Sequence, residues 1–242
     1  MDHPLHVIPA DEMYALLGTA HGPHIIDVTL PEDVAADPWR LPTAMPVHHR
    51  DVLDAVPFLD PGRPVVTVCQ KGLKLSQGAA ALLRAAGIGA RALQGGNLAW
   101  QAADHPRLAC DLAPDMGTAW VLPATRDRGA LAAAWTVMRW FDRNARVMWV
   151  APDHVSAVAD RFGATLHDPD TSLTTNFAAR GLIHPALVVF LDRVEDGTAP
   201  GTVLMDMLPD LHVRDEDCAT AGLPFLDAAW TAFCRSSGQE AG

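Results

Sequence analysis

Strand-like and helix-like segments alternate along the N-terminal half, and this alternation constrains the fold more than any other feature. Residues 24–28, 64–69 and 90–93 are short apolar runs, as in buried parallel strands. Apolar residues at helical spacing lie between or beside these runs, at residues 9–17, 51–59 and 76–86. The pattern predicts an α/β domain with a mostly parallel sheet flanked by helices.

Local signals predict where several of these elements begin and end. Ser76 is expected to cap the helix over 76–86, and Gly87 to end it. Asn97 is expected to cap a last helix through residue 103. Residues 31–46, rich in proline, are predicted to be a loop.

A polar, turn-rich stretch around residues 109–117 predicts a domain boundary. We therefore predict a first domain over 1–110, a linker over 111–118 and a second domain over 119–242. The second domain is expected to be a smaller, α-rich (α+β) domain. Its predicted helices cover 130–141, 152–162, 185–194 and 223–234, and its predicted strand covers 146–150.

Charge and hydropathy exclude several classes of partner. The net charge of −11 argues against binding to nucleic acid or to an anionic membrane surface. No run approaches the roughly 18 apolar residues that a membrane span needs. The start, Met1-Asp2-His3-Pro4, lacks the basic and apolar parts of a signal peptide. A cytoplasmic location is therefore expected.

The cysteines are too far apart for a zinc site or a disulfide framework, and we predict neither a metal nor a cofactor. They are Cys69, Cys110, Cys218 and Cys234. Of the 18 basic residues only two are lysines, and both, Lys71 and Lys74, follow Cys69 within five residues. The only lysines of an acidic protein thus lie beside one thiol.

Cys69 ends a predicted buried strand and precedes a loop that leads into a helix. Ligands of parallel α/β sheets bind at such strand ends, where loop amides and the helix N-terminus favour a thiolate. Gly72 removes a side chain where the backbone must curl around the sulfur. The alternative is a cysteine that only fills the core. The lysine cluster favours a reactive thiol.

Four motifs in this half resemble, in order, those of the rhodanese family. The loop Cys69-Gln70-Lys71-Gly72-Leu73-Lys74 resembles Cys-x-x-Gly-x-Arg, with lysine in the arginine position. Ile25-Ile26-Asp27-Val28 resembles the Ile-Asp-Val-Arg strand, with Thr29 in place of the arginine. Arg40-Leu41-Pro42-Thr43-Ala44 is similar to the His-Ile-Pro-Gly-Ala loop, and Leu93-Gln94-Gly95-Gly96 through Trp100 is similar to the closing Gly-Gly…Trp element. The resemblance covers about residues 5 to 108.

This resemblance implies a sulfurtransferase that passes sulfur from a small donor, such as thiosulfate, to a thiol or cyanide. Cys69 would be the nucleophile that carries a persulfide, and Lys74 would grip the donor anion. The substrate-binding loop would comprise Gln70, Lys71, Gly72, Leu73, Lys74 and Ser76. Asp27 and Arg40 would support it, although a cap or a surface ion pair is the alternative for Asp27. Lysine lacks the two-pronged contact of arginine, and Leu75 replaces the family's serine.

The second half resembles the C-terminal domain of the chromate-resistance protein ChrB. The resemblance rests on Trp135, Arg139, Phe141-Asp142, Ala145-Arg146, Trp149-Val150 and the tail over 215–234. The family's Asp-Arg-x-x-Cys has become Gly129-Ala130-Leu131-Ala132-Ala133, without ligating atoms. The resemblance therefore implies a degenerate domain that acts as a scaffold, a regulator or a partner-binding module.

Two other functions compete with sulfur transfer. Lys74 in place of arginine and the eroded second motif favour a non-catalytic sensor or interaction protein of a chromate or oxidative-stress response. An arsenate reductase or phosphatase would use a similar anion-binding loop. Those loops usually carry one more residue between the cysteine and the basic group, which makes this alternative the weaker one.

Overall fold

The chain forms two compact units. The computed structural model describes residues 6–239, so the Met1–Pro4 start used to predict the absence of a signal peptide lies outside the described residues. The first unit includes residues 6–17 and 21–111, and the second includes 18–20 and 112–239. The domain limits drawn from the sequence stay a prediction. Between residues 6 and 239, no helix has the length and apolarity needed to cross a bilayer.

The first unit is built on a parallel sheet. Its strands are β1 (Val7–Ile8), β2 (His24–Asp27), β3 (Trp39–Arg40), β4 (Ala44–Pro46), β5 (Val65–Val68), β6 (Ala90–Leu93) and β7 (Leu108–Ala109). Five of them form one sheet in the order β1-β6-β5-β2-β4, with every neighbouring pair parallel. The strands β3 and β7 form a separate antiparallel pair. The predicted α/β class is confirmed.

The helices of this unit are α1 (Ala10–Tyr14), α2 (Pro31–Ala36), α3 (Lys74–Ala85) and α4 (Gly96–Ala102), with a 3-10 helix over Val52–Phe58. The loop predicted over 31–46 is wrong, because α2, β3 and β4 lie there. Pro31 occupies the first position of α2, where its fixed φ favours a helix and its missing N–H costs nothing. The expected end of α3 is correct, since Gly87 follows it with φ +83°.

The second unit contains a smaller parallel sheet. Its strands are β8 (Ala119–Pro123), β9 (Arg146–Val150) and β10 (Thr165–Leu166), in the order β10-β8-β9. The prediction of β9 is confirmed residue for residue, whereas β8 and β10 were not predicted. Because β9 adjoins one edge of β8 and β10 the other, the strand order reverses at β8.

Helices make up most of the second unit, as predicted. They are α5 (Arg128–Thr136), α6 (Val155–Phe162), α7 (Leu173–Ala178), α8 (Pro185–Glu195), α9 (Thr202–Asp206), α10 (Leu208–Leu211) and α11 (Asp215–Gln239). A π-helical segment, Val137–Phe141, continues α5, and a 3-10 turn, Pro152–His154, precedes α6. The predicted start of the last helix at residue 223 is wrong, since α11 begins at Asp215 and continues through Pro224.

An ion pair lies inside the aromatic core of this unit. The guanidinium of Arg139 donates to the two carboxylate oxygens of Asp227 over 2.9 and 3.0 Å, and Trp135 donates its indole N–H to the same group over 2.9 Å. Both charged residues are 8% exposed. Trp230 and Phe190 pack against Trp135. The pair links the Trp135 segment to α11.

Candidate active site around Cys69

Cys69 lies at the carboxyl end of β5, the middle strand of the five-stranded sheet. The residue is only 5% exposed and packs in a cluster that includes Val65, Ala79 and Ala92. A five-residue loop, 69–73, connects β5 to α3. The sequence thus places the thiol where a parallel sheet binds ligands, but deep enough to contact the core.

Ser76 contacts the sulfur instead of capping the helix. The Cys69 Sγ–H donates to Ser76 Oγ over 3.2 Å, and Ser76 Oγ donates to the Leu73 carbonyl over 3.4 Å. The predicted cap is wrong because α3 begins two residues earlier, at Lys74, and its N-cap residue Leu73 makes no side-chain cap bond. Ser76 is fully buried within the first turn, and its hydroxyl is therefore available to the thiol.

A cavity of about 190 Å³ opens beside the sulfur. It is lined by Cys69, Gln70, Lys71, Leu73, Lys74, Leu75 and Asp33. Cys69 is the buried residue of this set; the other lining residues are half-buried or exposed, and both lysines are exposed. Cys69 is therefore the deepest of the lining residues, and the two lysines are among the exposed ones. Cys69 thus belongs both to the core cluster and to the wall of the cavity.

Two carbonyl groups of the loop are held from behind. The Asn97 N–H donates to the Cys69 carbonyl over 3.1 Å, and the Leu98 N–H donates to the Gln70 carbonyl over 3.1 Å. Both donors belong to the first turn of α4, where helical N–H groups have no partner in their own helix. The amino end of α4 thus fixes the backbone of the nucleophile. Asn97 is the second residue of α4 and not its predicted cap.

Position 72 requires glycine, both because its φ is positive and because there is no room for a Cβ atom. Its φ is +64°, and a Cβ there would lie 2.4 Å from the Leu93 carbonyl oxygen and 2.6 Å from the amide nitrogens of Gly95 and Gly96. The Gly72 N–H also donates weakly to the Cys69 carbonyl over 3.4 Å. Only a residue without a side chain lets the loop fold back onto the Gly95-Gly96 turn.

Backbone N–H groups form an anion-binding feature at the cavity. Within residues 6–239, the N–H groups of residues 70, 71 and 73–76 have no acceptor. The last three belong to the first turn of α3, where the helix dipole adds partial positive charge. Since five of these six residues line the cavity, their N–H groups are the available donors for an anion bound there.

Asp27 supports the loop through two intermediates. Its Oδ1 accepts the Thr29 N–H over 2.9 Å and also the Thr29 hydroxyl, whose oxygen accepts from the Asn97 side-chain amide over 3.0 Å. Burial raises the pKa of Asp27, while the Thr29 hydrogen bonds and the charge of Arg40 oppose that rise. Asp27 is therefore buried and lies behind the loop, neither on the surface nor in the cavity.

Arg40 occupies the short strand β3, paired with Leu108, and its charge acts on Asp27 and Cys110. Arg40 is not one of the described residues that line the cavity. The structure thus brings Cys69, Gln70, Lys71, Gly72, Leu73, Lys74 and Ser76 together, while Asp27 and Arg40 do not line the cavity.

Sequence reasoning missed three residues of the site. Asp33 reaches the cavity from α2, which was predicted to be a loop, and Thr29 and Asn97 connect Asp27 to the nucleophile backbone. The acidic first turn after Pro31 was the available signal for Asp33, because it indicates a helix N-terminus. Nothing in the local sequence indicates the contact between Thr29 and Asn97.

Comparison with protein families agrees with this architecture. The family model for the rhodanese-like domain matches residues 9–103. Residues 9–103 therefore form a rhodanese-like domain. The cavity, the glycine turn and the Asp27 network all belong to this domain, whereas the second unit lies outside the matched segment.

Solved structures with similar folds include two proteins described as rhodanese-related or rhodanese-like. The first, from Thermoplasma volcanium, is 16% identical with a TM-score of 0.37, covering 43% of this chain and 98% of its own. The second, from Staphylococcus aureus, is 26% identical with a TM-score of 0.35, covering 39% of this chain and 90% of its own.

A third structure, described as a protein of unknown function and possible tyrosine phosphatase from Rhodopseudomonas palustris, is 20% identical with a TM-score of 0.36. It covers 42% of this chain and 83% of its own. No curated protein matches the chain.

Proposed function

We propose that the chain is a cytoplasmic sulfurtransferase in which Cys69 carries sulfur as a persulfide from thiosulfate, or a related donor, to a thiophilic acceptor. The observation that carries this proposal is that Cys69 lines a cavity together with Lys71, Lys74 and loop residues whose N–H groups have no acceptor among the described residues. Such a cavity attracts an anion and brings it to a nucleophile.

In the first step, the deprotonated sulfur of Cys69 attacks the outer sulfur of thiosulfate. A new S–S bond forms, the S–S bond of the donor breaks, and sulfite leaves with the electron pair of that bond. The product is a Cys69 persulfide anion. The N–H groups of the loop stabilise the charge that is spread over the attacking and leaving groups.

In the second step, cyanide or the thiolate of a small thiol attacks the outer sulfur of the persulfide. The acceptor takes this sulfur, and Cys69 recovers its thiolate. The Ser76 hydroxyl, 3.2 Å from Sγ, can donate to the sulfur in its anionic form. Lys71 and Lys74 bring anionic donors to the mouth of the cavity as point charges, without the planar geometry that arginine would impose.

The second unit would act on this reaction as a ChrB-like scaffold, regulator or partner-binding module. A sensor of a chromate or oxidative-stress response, without turnover, is the second candidate function. The specific observation in its favour is that Cys69 is only 5% exposed, which restricts the acceptors that can reach it.

Intact-mass analysis after incubation with thiosulfate tests the proposal. The full chain should gain the mass of one sulfur atom and lose it again when cyanide is added. Cys69→Ser should abolish the adduct. Cys110→Ser is the matched control, because Cys110 is a half-buried free thiol of the same unit and should not matter. An unmodified wild-type chain, or an adduct that survives Cys69→Ser, would rule out the enzyme and leave the sensor.

A further inference from the structure

The second unit has its own cavity, of about 370 Å³. It lies at the carboxyl ends of β8 and β10, lined by Pro123 and His167, and at the amino end of α5, lined by Arg128 and Gly129. The strand order reverses at β8. In open parallel sheets a ligand crevice forms at such a reversal, outside the carboxyl ends of the strands.

The amino end of α5, a nine-residue helix, supplies donors to this cavity. Asp127 is the N-cap; its side chain accepts the Ala130 N–H over 2.8 Å, and its carbonyl accepts the Leu131 N–H. The N–H groups of Arg128 and Gly129 have no acceptor among the described residues. These donors, with the helix dipole, suit a carboxylate.

His167 provides an independent sign of a missing ligand. Its side chain lines the cavity and the residue is only 4% exposed, yet Nδ1 is buried without a hydrogen-bond partner in the part of the chain that the structure describes. Burial, and secondarily the charge of Arg180, lowers the pKa of His167 to about 4, so the ring is neutral. A buried polar atom without a partner is unfavourable, and a bound polar molecule would satisfy it.

The wall also contains a carboxyl group that forms no salt bridge with any residue between 6 and 239. Glu195 lines the cavity and accepts the Leu173 N–H over 3.4 Å. Burial raises the pKa of Glu195, and the negative charges of Asp192, Asp196 and Asp127 raise it further. An incoming cationic group would stabilise the ionised form of this side chain.

Arg128, at the start of α5, is held by its own contacts. Its Nε lies 3.0 Å from Asp206 Oδ1, and Gly197 leaves the space for the guanidinium, since a Cβ at Gly197 would lie 1.9 Å from Arg128 Nη1. The cavity wall therefore combines the Arg128 guanidinium and the N–H groups at the start of α5 with two carboxyl groups, those of Asp127 and Glu195.

We propose that this cavity binds a free α-amino acid, with its carboxylate at the N–H groups of Arg128 and Gly129 and its ammonium group at Glu195. His167 contacts the ligand from the carboxyl end of β10. The proposal is independent of sulfur transfer by the first unit, because every residue that it uses belongs to the second.

Thermal-shift measurements on the full chain test the proposal, with each common L-amino acid supplied at about 10 mM, enough to detect millimolar dissociation constants. At least one should stabilise the second unit. Its amide, which lacks the carboxylate, and its N-acetyl derivative, which lacks the ammonium group, should not. Glu195→Gln should weaken binding about tenfold or more. Glu32→Gln, an exposed carboxylate of the first unit, is the matched control and should leave it unchanged.

A second measurement does not depend on any variant. The backbone amide resonance of Gly129 should shift when the stabilising amino acid is added to the wild-type chain. The proposal is overturned if no amino acid binds, if the amide or N-acetyl derivative binds equally well, or if Gly129 does not respond.

Discussion

Replacing Gly72 with alanine tests the proposed construction of the Cys69 loop most directly. Gly72 has φ +64°, which costs a non-glycine residue about 1–2 kcal/mol. The added Cβ would lie 2.4 Å from the Leu93 carbonyl oxygen and 2.6 Å from the Gly95 nitrogen. Both neighbours are backbone atoms that cannot rotate away, so overpacking adds about 1–3 kcal/mol. The total destabilisation is about 2–5 kcal/mol.

Gly78→Ala is the matched control. Gly78 lies inside α3, and a Cβ added there would have open space, with nothing within 4 Å. Alanine favours a helix more than glycine does, so this change should stabilise the unit by about 0.5–1 kcal/mol. Glycine-to-alanine substitutions six residues apart should thus change the stability of the first unit in opposite directions.

Hydrogen exchange measured by mass spectrometry reports the stability of each unit separately, which is needed because a chain of two units need not unfold in one step. Amides of β5 and α3 should lose about thirtyfold or more of their protection in Gly72→Ala, and peptides of the second unit should not change. Persulfide formation should also slow, since the loop carries Cys69. A Gly72→Ala protein with wild-type protection and wild-type sulfur uptake would refute the argument that the Gly72–Gly96 contact shapes the site.

Three further changes have defined outcomes. Asp33→Asn should speed sulfur uptake from thiosulfate about threefold at low salt and less at high salt, because a carboxylate at the cavity repels a dianion; stopped-flow rates at two salt concentrations check this. Arg139→Met should cost the second unit about 3–5 kcal/mol in urea unfolding, since Asp227 is left buried without its cation. In the folded chain the pKa of His167 is lowered to about 4, so as pH falls from 6.5 the unfolded chain binds a proton at this residue before the folded chain does. The free energy of unfolding should therefore drop by about 3 kcal/mol between pH 6.5 and 4. His167→Gln should remove this pH-dependent loss of stability, which urea titrations at both pH values would measure.

The central strands of the first unit could be predicted because their signal is local. The runs at 64–69 and 90–93 are mostly apolar, with Thr67 and Arg91 as exceptions, as expected of strands buried on both faces, and they match β5 and β6 closely. The proline-rich segment 31–46 misled the prediction, because a proline at the first position of a helix looks, in sequence, like a proline in a loop. The short strand β10 gives no periodic signal in two residues.

In the candidate site, too, the residues with a local sequence signal could be predicted and the others could not. Cys69, Gly72 and the lysines were predicted from adjacent residues. The predicted helix cap at Ser76 was wrong, because a serine before an apolar run resembles a cap in sequence, and only the packed structure shows its hydroxyl beside the sulfur. Asp33 and Asn97 come from other elements, and their approach to the loop depends on the sheet order.

The depth of Cys69 also limits what can react with it. A thiol that is 5% exposed cannot meet a flat protein surface, but a cavity of about 190 Å³ admits a small anion or the end of an extended thiol. The same burial would protect a persulfide from stray thiols in solution, because a competing molecule must enter a cavity that Lys71, Lys74 and Asp33 help to line. Access and protection would therefore depend on the same cavity, and its charged side chains would favour some small molecules over others.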